Sequence, residues 1–292
     1  MTCILDALLN YAEIEEKNLS NIYSSTNRIN RAGDRLEYFT KDLFCNSFNI
    51  KSKEGKEKEY SKHLSWKGSK NHPPDFIIKG GDAFEVKKRK SKAGHISLNS
   101  SYPHQKLYKE NKRITEDCRN CENDIGGWEE KDLVYVIGRV PKASKLDFLW
   151  MIYGDCWAAP RETYKELSDN LSLKINQAVK ESEYGELNEK TNEIGKVKKV
   201  DQSGRTELRI RGMWRLEHPA NYFKKHVKNY EDKISGKQPL FTVMQEKKFA
   251  ELPDNKKDRV KQNQKIKMEH IDIPDPSKED EWINALIFEV EG

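Results

Sequence analysis

The sequence predicts an α/β domain in which helices flank a mixed central sheet. Three observations carry that expectation. Apolar residues near the start recur at three- and four-residue steps, the period of a helix with one buried face. The middle of the chain instead holds short β-branched and aromatic runs bounded by Gly, Pro and Asp. Repeats and a clear linker are absent, so the 292 residues read as a single domain, 1–292, with charged loops inserted at about 51–72 and 165–205.

Taken in order, Ile4, Leu5, Leu8, Leu9 and Ala12 predict a first helix over residues 4–16. A polar loop from Asn18 to Asn30 leads to a second helix, in which Leu36, Phe39, Leu43 and Phe44 form one stripe and Asp34 caps the start. Lys51 to Asn71 carries seven lysines against three glutamates and almost no aliphatic residues, which reads as a solvated connection. Phe76-Ile77-Ile78 and Ala83-Phe84-Glu85-Val86 around Gly80-Gly81 predict a hairpin. Leu133 to Gly138 and Phe148 to Tyr153 have the length and composition of buried strands. Beyond them come an exposed Lys/Glu-rich helix with a loop around Gly185 and Gly195, and a strand-like segment from Thr206 to Trp214. Apolar runs at Leu240 to Met244 and Trp282 to Val290 are separated by a charged loop around Pro253 to Gln264.

Composition excludes several classes of protein. Hydrophobic and charged residues each make up 35%, and the 10% aromatic content argues against general disorder. The net charge of +5 permits a nucleic-acid partner without requiring one. No apolar run approaches the ~18 residues of a membrane span, and Met1-Thr2-Cys3-Ile4-Leu5-Asp6 does not read as a secretory signal. Five scattered cysteines cannot all pair within one chain and point to reduced thiols in a cytosol. Cys118-Arg119-Asn120-Cys121 has no second ligand pair at zinc spacing, and no phosphate-binding or dinucleotide glycine motif is present.

The chemistry-bearing stretch runs from Asp75 to Lys87. Strand alternation puts Glu85 and Lys87 on one face and Val86 on the other. Register then makes a demand. A two-residue loop at Gly80-Gly81 pairs Phe76 with Glu85 and sends Asp75 to the wrong face. A three-residue loop, Lys79-Gly80-Gly81, pairs Asp75 with Glu85 on the same face, so cooperation of these carboxylates requires that loop or an equivalent bulge. Two carboxylates and a lysine so arranged suit metal-assisted phosphodiester hydrolysis, with Mg²⁺ on hard oxygen ligands and the ammonium beside the developing charge. An ordinary surface hairpin with alternating charges shares these residue types. The pattern Pro-Asp, a short gap and Glu-x-Lys resembles the PD-(D/E)xK nucleases. Glu37, upstream on the second helix, is either a further active-site carboxylate or a solvated neighbour of Lys41.

Contacts to nucleic acid are expected from three segments. The run Lys87 to Lys92, with Lys88 in it, leaves the proposed cleft towards phosphates. Asn99, Ser100 and Ser101 are small hydrogen-bonding residues suited to a backbone or a base edge, although an ordinary turn has the same composition. In Arg209-Ile210-Arg211-Gly212-Met213-Trp214 the two arginines share a face, from which each can pair with a guanine edge; the plain alternative is a solvated sheet edge.

Longer ordered strings carry a more specific likeness. Gly33-Asp34, Leu36-Glu37 and Lys41-Asp42-Leu43-Phe44 lie within the first, Asn27 to Phe48. Pro73-Pro74-Asp75, Gly81-Asp82-Ala83, Glu85-Val86-Lys87-Lys88 and Leu98-Asn99-Ser100-Ser101 follow. Trp128 to Asp132 and Leu208 to Trp214 complete the set. The chain resembles the NgoPII family of type II restriction endonucleases over most of its length. The resemblance implies a restriction-endonuclease-like PD-(D/E)xK core and Mg²⁺-dependent cleavage of double-stranded DNA at GGCC. It also implies a paired methyltransferase in a prokaryotic cytoplasm. It makes Asp75 and Glu85 metal ligands, Lys87 the catalytic lysine and Glu37 an optional further ligand, while the DNA contacts expected from the residues themselves are Lys88, Asn99, Ser100, Ser101, Arg209, Arg211 and Trp214. A palindromic site has a two-fold axis, so a homodimer is expected. The competing readings are a structure-specific repair or junction nuclease on the same core and an inactive DNA-binding protein.

Overall fold

The computed structural model describes residues 1–15, 17–23, 32–99, 101–141, 145–183, 185–188 and 193–291. Helices α1 (Ile4–Glu13), α2 (Leu19–Ile22), α3 (Ala32–Cys45) and α4 (Lys53–His63) come first. Strands β1 (Leu64–Trp66), β2 (Phe76–Ile78), β3 (Ala83–Arg89), β4 (Ile96–Asn99) and β5 (Lys106–Tyr108) follow. After α5 (Glu116–Asn120) run β6 (Glu130–Arg139) and β7 (Phe148–Tyr153). Then come α6 (Arg161–Lys180), β8 (Glu186–Leu187), β9 (Gly195–Lys198), β10 (Leu208–Ile210) and β11 (Trp214–Leu216). The chain closes with α7 (Pro219–Phe223), α8 (Tyr230–Ile234), β12 (Leu240–Gln245), α9 (Glu246–Glu251), α10 (Asp254–Gln262), β13 (Ile266–Pro274) and β14 (Trp282–Val290).

The main sheet runs β1-β2-β3-β6-β7-β12-β14-β13, with β5 added to β6. It is mixed: β3 with β6 and β7 with β12 are parallel, and the other neighbours are antiparallel. Every residue of β7 and β12 is buried, which is why β7 reads as an unbroken apolar run and β12 as one interrupted only by Thr242 before Gln245. Helix α1 packs on α3, α10 and β14, and its Asp6 carboxylate accepts from the Cys3 N–H at 2.8 Å to close the first turn. Two smaller sheets, β10-β9-β8 and β11-β4, lie outside the main one. Among the described residues no helix is long and apolar enough to cross a membrane.

Several expectations are corrected. The Lys51–Asn71 connection contains α4 and β1. The helix is capped by Ser52, whose Oγ accepts from Gly55 N at 3.1 Å, and is anchored through the buried Tyr60. The charged loop around Pro253 to Gln264 is mostly α10, docked through buried Val260 and a 2.6 Å ion pair between Lys256 and Asp6. Asp34 lies inside the first turn of α3, which begins at Ala32, so it favours the helix dipole without capping it. The Thr206–Trp214 segment breaks at Arg211–Met213 into strands of two different sheets. Gly195 opens β9 instead of lying in a loop.

Candidate active site

The hairpin decides the site. Phe76 pairs with Phe84 and Ile77 with Ala83, and Ile78 N–H donates to Asp82 O at 3.0 Å. Lys79, Gly80 and Gly81 are therefore the loop, and Gly80 takes φ of 67°, a left-handed conformation that favours glycine. This is the three-residue register over Phe76 to Ile78. Just before it Asp75 N–H donates to Phe84 O at 2.9 Å, so Asp75 and Phe76 both lie against Phe84 and the Asp75 carboxylate turns towards Val86 N–H and the cavity of Glu85. Phe76 and Phe84 stack 4.6 Å apart against Phe44 of α3, which commits that face of the strands to the core. Glu85 and Lys87 consequently occupy the other face, where a cavity of about 430 Å³ is lined by Asp75, Glu85, Lys87 and Tyr135.

Geometry and charge in this cavity are tightly linked. Val86 N–H donates to Asp75 Oδ2 at 2.6 Å, and Lys87 Nζ lies 2.5 Å from Glu85 Oε1. Burial, then the charges of Glu85 and Glu37, push the Asp75 carboxyl up to about 8 against the pull of the Val86 N–H and Lys87. Burial works to lower the Lys87 ammonium, but the carboxylates of Glu85 and Asp75 outweigh it and hold the lysine above its ordinary value. Two carboxyl groups thus face one ammonium here, and a cation between them would favour the ionised form of both, so this set of hard oxygens suits a divalent cation. Among the described residues no cluster of three or more His, Cys, Asp and Glu side chains is placed to hold a metal, so Glu37 does not complete a three-residue ligand set.

Glu37 is the neighbour of Lys41 that one of its two readings expected, accepting from Lys41 Nζ at 2.6 Å, and it lies near enough to Asp75 for its charge to act there. Lys41 is buried and donates a second bond, at 2.7 Å, to Lys67 O in the segment leading to Gly68. Gly68, at φ of 95°, passes so close beneath the site that a Cβ there would lie 2.3 Å from Asp75 O and 3.5 Å from Glu37 Oε1. Sequence reasoning missed Lys41 and Gly68 as parts of the site, because both act on Asp75 through contacts distant along the chain.

A second groove, of about 440 Å³, continues from the first and shares Ser101, Tyr102, His104, Asn111 and Arg113 with it. Its far wall is Arg161 and Lys165 of α6 with Arg211, Gly212 and Trp214. Trp214 pairs in register with Asn99 across β11 and β4, so two distant expected contact segments meet here. The Trp214 ring packs edge-on to Tyr102 and Tyr164, at 6.2 and 5.4 Å, which ties α6 to the loop leading to His104. His104, pushed down to about 4 mainly by burial, sits in the wall common to both cavities. Arg209 lies outside the groove lining, joined to Arg211 through Glu193. Lys88 alternates onto the face of β3 opposite to Glu85 and Lys87, so the structure does not bring it into either cavity. Ser100 lies outside the described residues.

The chain matches the NgoPII restriction endonuclease family over residues 2–274. It is 34% identical to the type II restriction enzyme NgoPII of Neisseria gonorrhoeae over 292 residues, an alignment that covers 98% of each chain. No solved structure matches it. A family match over nearly the whole chain takes in the hairpin, both cavities and the residues the cavities share. The chain belongs to the NgoPII restriction endonuclease family of type II restriction enzymes.

Proposed function

We propose that this enzyme cuts both strands of duplex DNA at GGCC with Mg²⁺, using Asp75, Glu85 and Lys87 as the catalytic centre. The reading rests above all on the odd-loop hairpin, since a loop one residue shorter would turn Asp75 away from Glu85 and Lys87. Asp75 and Glu85 would hold the cation, with Asp75 Oδ2 steadied by Val86 N–H. Bound there, Mg²⁺ supplies polarisation of the phosphate and acidification of the attacking water. Lys87, fixed against Glu85 and kept charged, donates to that water and faces the charge that develops on the phosphate. Glu37 balances Lys41, and the pair braces the segment under Asp75.

DNA would run from the catalytic cavity into the second groove, where Ser101, Arg211 and Trp214 line its path with Arg209 beside them and the β4 strand that ends at Asn99 pairs with β11. Two such chains related by a two-fold axis would match a palindrome and cut each strand once. A methyltransferase of the same specificity would protect the host DNA in the bacterial cytoplasm. Digestion of unmethylated plasmid in Mg²⁺, beside an EDTA control, tests this reading by sequencing of the ends. Discrete fragments ending within GGCC in the Mg²⁺ lane alone are expected. Intact plasmid, or ends scattered over all sequences, would refute it.

A further inference from the structure

Arg209 and Arg211 reach the same carboxylate. Arg209 donates from Nε to Glu193 Oε2 at 2.9 Å and from Nη2 to Oε1 at 2.5 Å, and Arg211 donates from Nε to Oε1 at 2.5 Å. Exposure is lopsided across the cluster: the Glu193 side chain is 11% exposed, those of Arg209 and Arg211 48% and 45%. The carboxylate therefore lies beneath two outward-facing cations. These bonds engage the Nε sides of both guanidinium groups. The terminal edge of each, the one suited to O6 and N7 of guanine, is spared by them.

The segment that carries Glu193 is itself held in place. A Cβ on Gly195 would lie 2.8 Å from Ile175 Cγ2 of α6, and a Cβ on Gly212 would lie 2.9 Å from Ile194 Cδ1. Both glycines let residues 193–195 pass closely between the helix and the turn that follows β10. The Glu193 carboxylate faces two guanidinium groups at the rim of the groove that Arg211 lines, with Glu207 a weaker influence on Arg209. An isolated surface ion pair contributes little to stability. A carboxylate shared by two arginines and backed by packed chain instead restricts where their free edges point.

We infer that Glu193 is a positioning residue for sequence recognition. It aims the Arg209 and Arg211 forks at guanine edges and cancels one of their charges, which weakens their pull on the phosphates of any sequence. This rests on the reading that the enzyme cuts at GGCC. The test compares wild type, Glu193→Ala and Glu193→Gln. It measures kcat/KM on GGCC duplexes and on duplexes differing by one base, and binding to non-cognate duplex across a salt series.

Glu193→Ala is expected to lower the cognate-to-variant ratio by about tenfold or more, the scale of one lost bidentate contact. It is also expected to steepen the salt dependence of non-cognate binding by up to about one phosphate contact. Glu193→Gln, which keeps the shape but not the charge, should fall between. In an Arg209→Ala/Arg211→Ala background the Glu193→Ala change should have no further effect on the ratio. A ratio within about twofold of wild type, or a drop that persists in the double-alanine background, would overturn the assignment. Wild type that leaves GGCC duplex uncut would overturn the functional reading itself, a result distinct from an unaltered ratio in an active enzyme.

Discussion

Replacing Gly68 with alanine is expected to disable cleavage although the residue carries no side chain and no charge. The new Cβ would lie 2.3 Å from Asp75 O and 3.2 Å from Asp75 C, both backbone atoms that no rotamer change can move aside. Restoring ordinary van der Waals contact requires the two strands of chain to part by about 1 Å. A displacement of that size at a reacting group costs roughly 100-fold in rate, or about 2.7 kcal/mol of transition-state stabilisation. A φ of 95° also strains any L-residue, at a further cost to stability of about 1–2 kcal/mol. Gly126 separates the two effects, since at φ of 104° it carries similar backbone strain but its Cβ would meet nothing within 4 Å. Single-turnover cleavage of a GGCC duplex, with urea unfolding alongside, is the assay. Gly68→Ala should be slow and destabilised, Gly126→Ala destabilised and fast. Equal cleavage rates for the two variants would refute the idea that Gly68 sets the position of Asp75.

Other expectations concern folding and assembly. Asp42, fully buried, accepts from Tyr23, Ser47 and Tyr60 at 2.6, 2.5 and 2.6 Å and from Lys56, so Asp42→Ala strands a partly buried ammonium and three buried hydroxyls. Urea unfolding should report a loss of about 3–5 kcal/mol; a loss under about 1 kcal/mol would contradict this view of the junction between α3 and α4. His218, wholly buried, accepts from Ala220 N–H at 3.1 Å to cap α7, and burial, then the charge of Arg89, pushes it down to about 4. Its unfolded pKa, near 6.5, is the higher one, so its contribution is complete above that value and is lost as pH falls towards 4. Between about pH 7.5 and about pH 5 the stability gap between wild type and the non-titrating His218→Asn should change by about 2 kcal/mol against wild type. A gap independent of pH would contradict it. Mass photometry on cognate duplex should show two chains per DNA, and a stable one-to-one complex would rule out the symmetric dimer.

The hairpin was legible because its signals are local. Alternation placed Glu85 and Lys87 together, and the loop-length argument named the register that the structure adopts. Helix α4 was not legible, since Lys and Glu dominate it and its anchor, Tyr60, binds Asp42, 18 residues away in sequence. A single buried aromatic gives no helical period to detect. Strand β13 was missed for a related reason: it is an edge strand, with Lys267, Glu269, His270 and Asp272 exposed between its buried isoleucines. The shared face of Arg209 and Arg211 followed from alternation, but their partner Glu193 lies 16 and 18 residues upstream and acts across a sheet the sequence does not announce. Lys88 shows the converse: a charge run suggested a contact leaving the cleft, and strand alternation turns the residue to the face away from both cavities.

The central claim is that Asp75, Glu85 and Lys87 form the cleavage centre, and Lys87→Ala tests it most directly. Binding to and single-turnover cleavage of the same GGCC duplex would be measured for wild type and variant. The account predicts binding within about threefold of wild type and cleavage slowed by roughly 1,000-fold, because the ammonium acts mainly on charge that develops during the reaction. Cleavage by Lys87→Ala within about tenfold of wild type would place the chemistry elsewhere in the molecule.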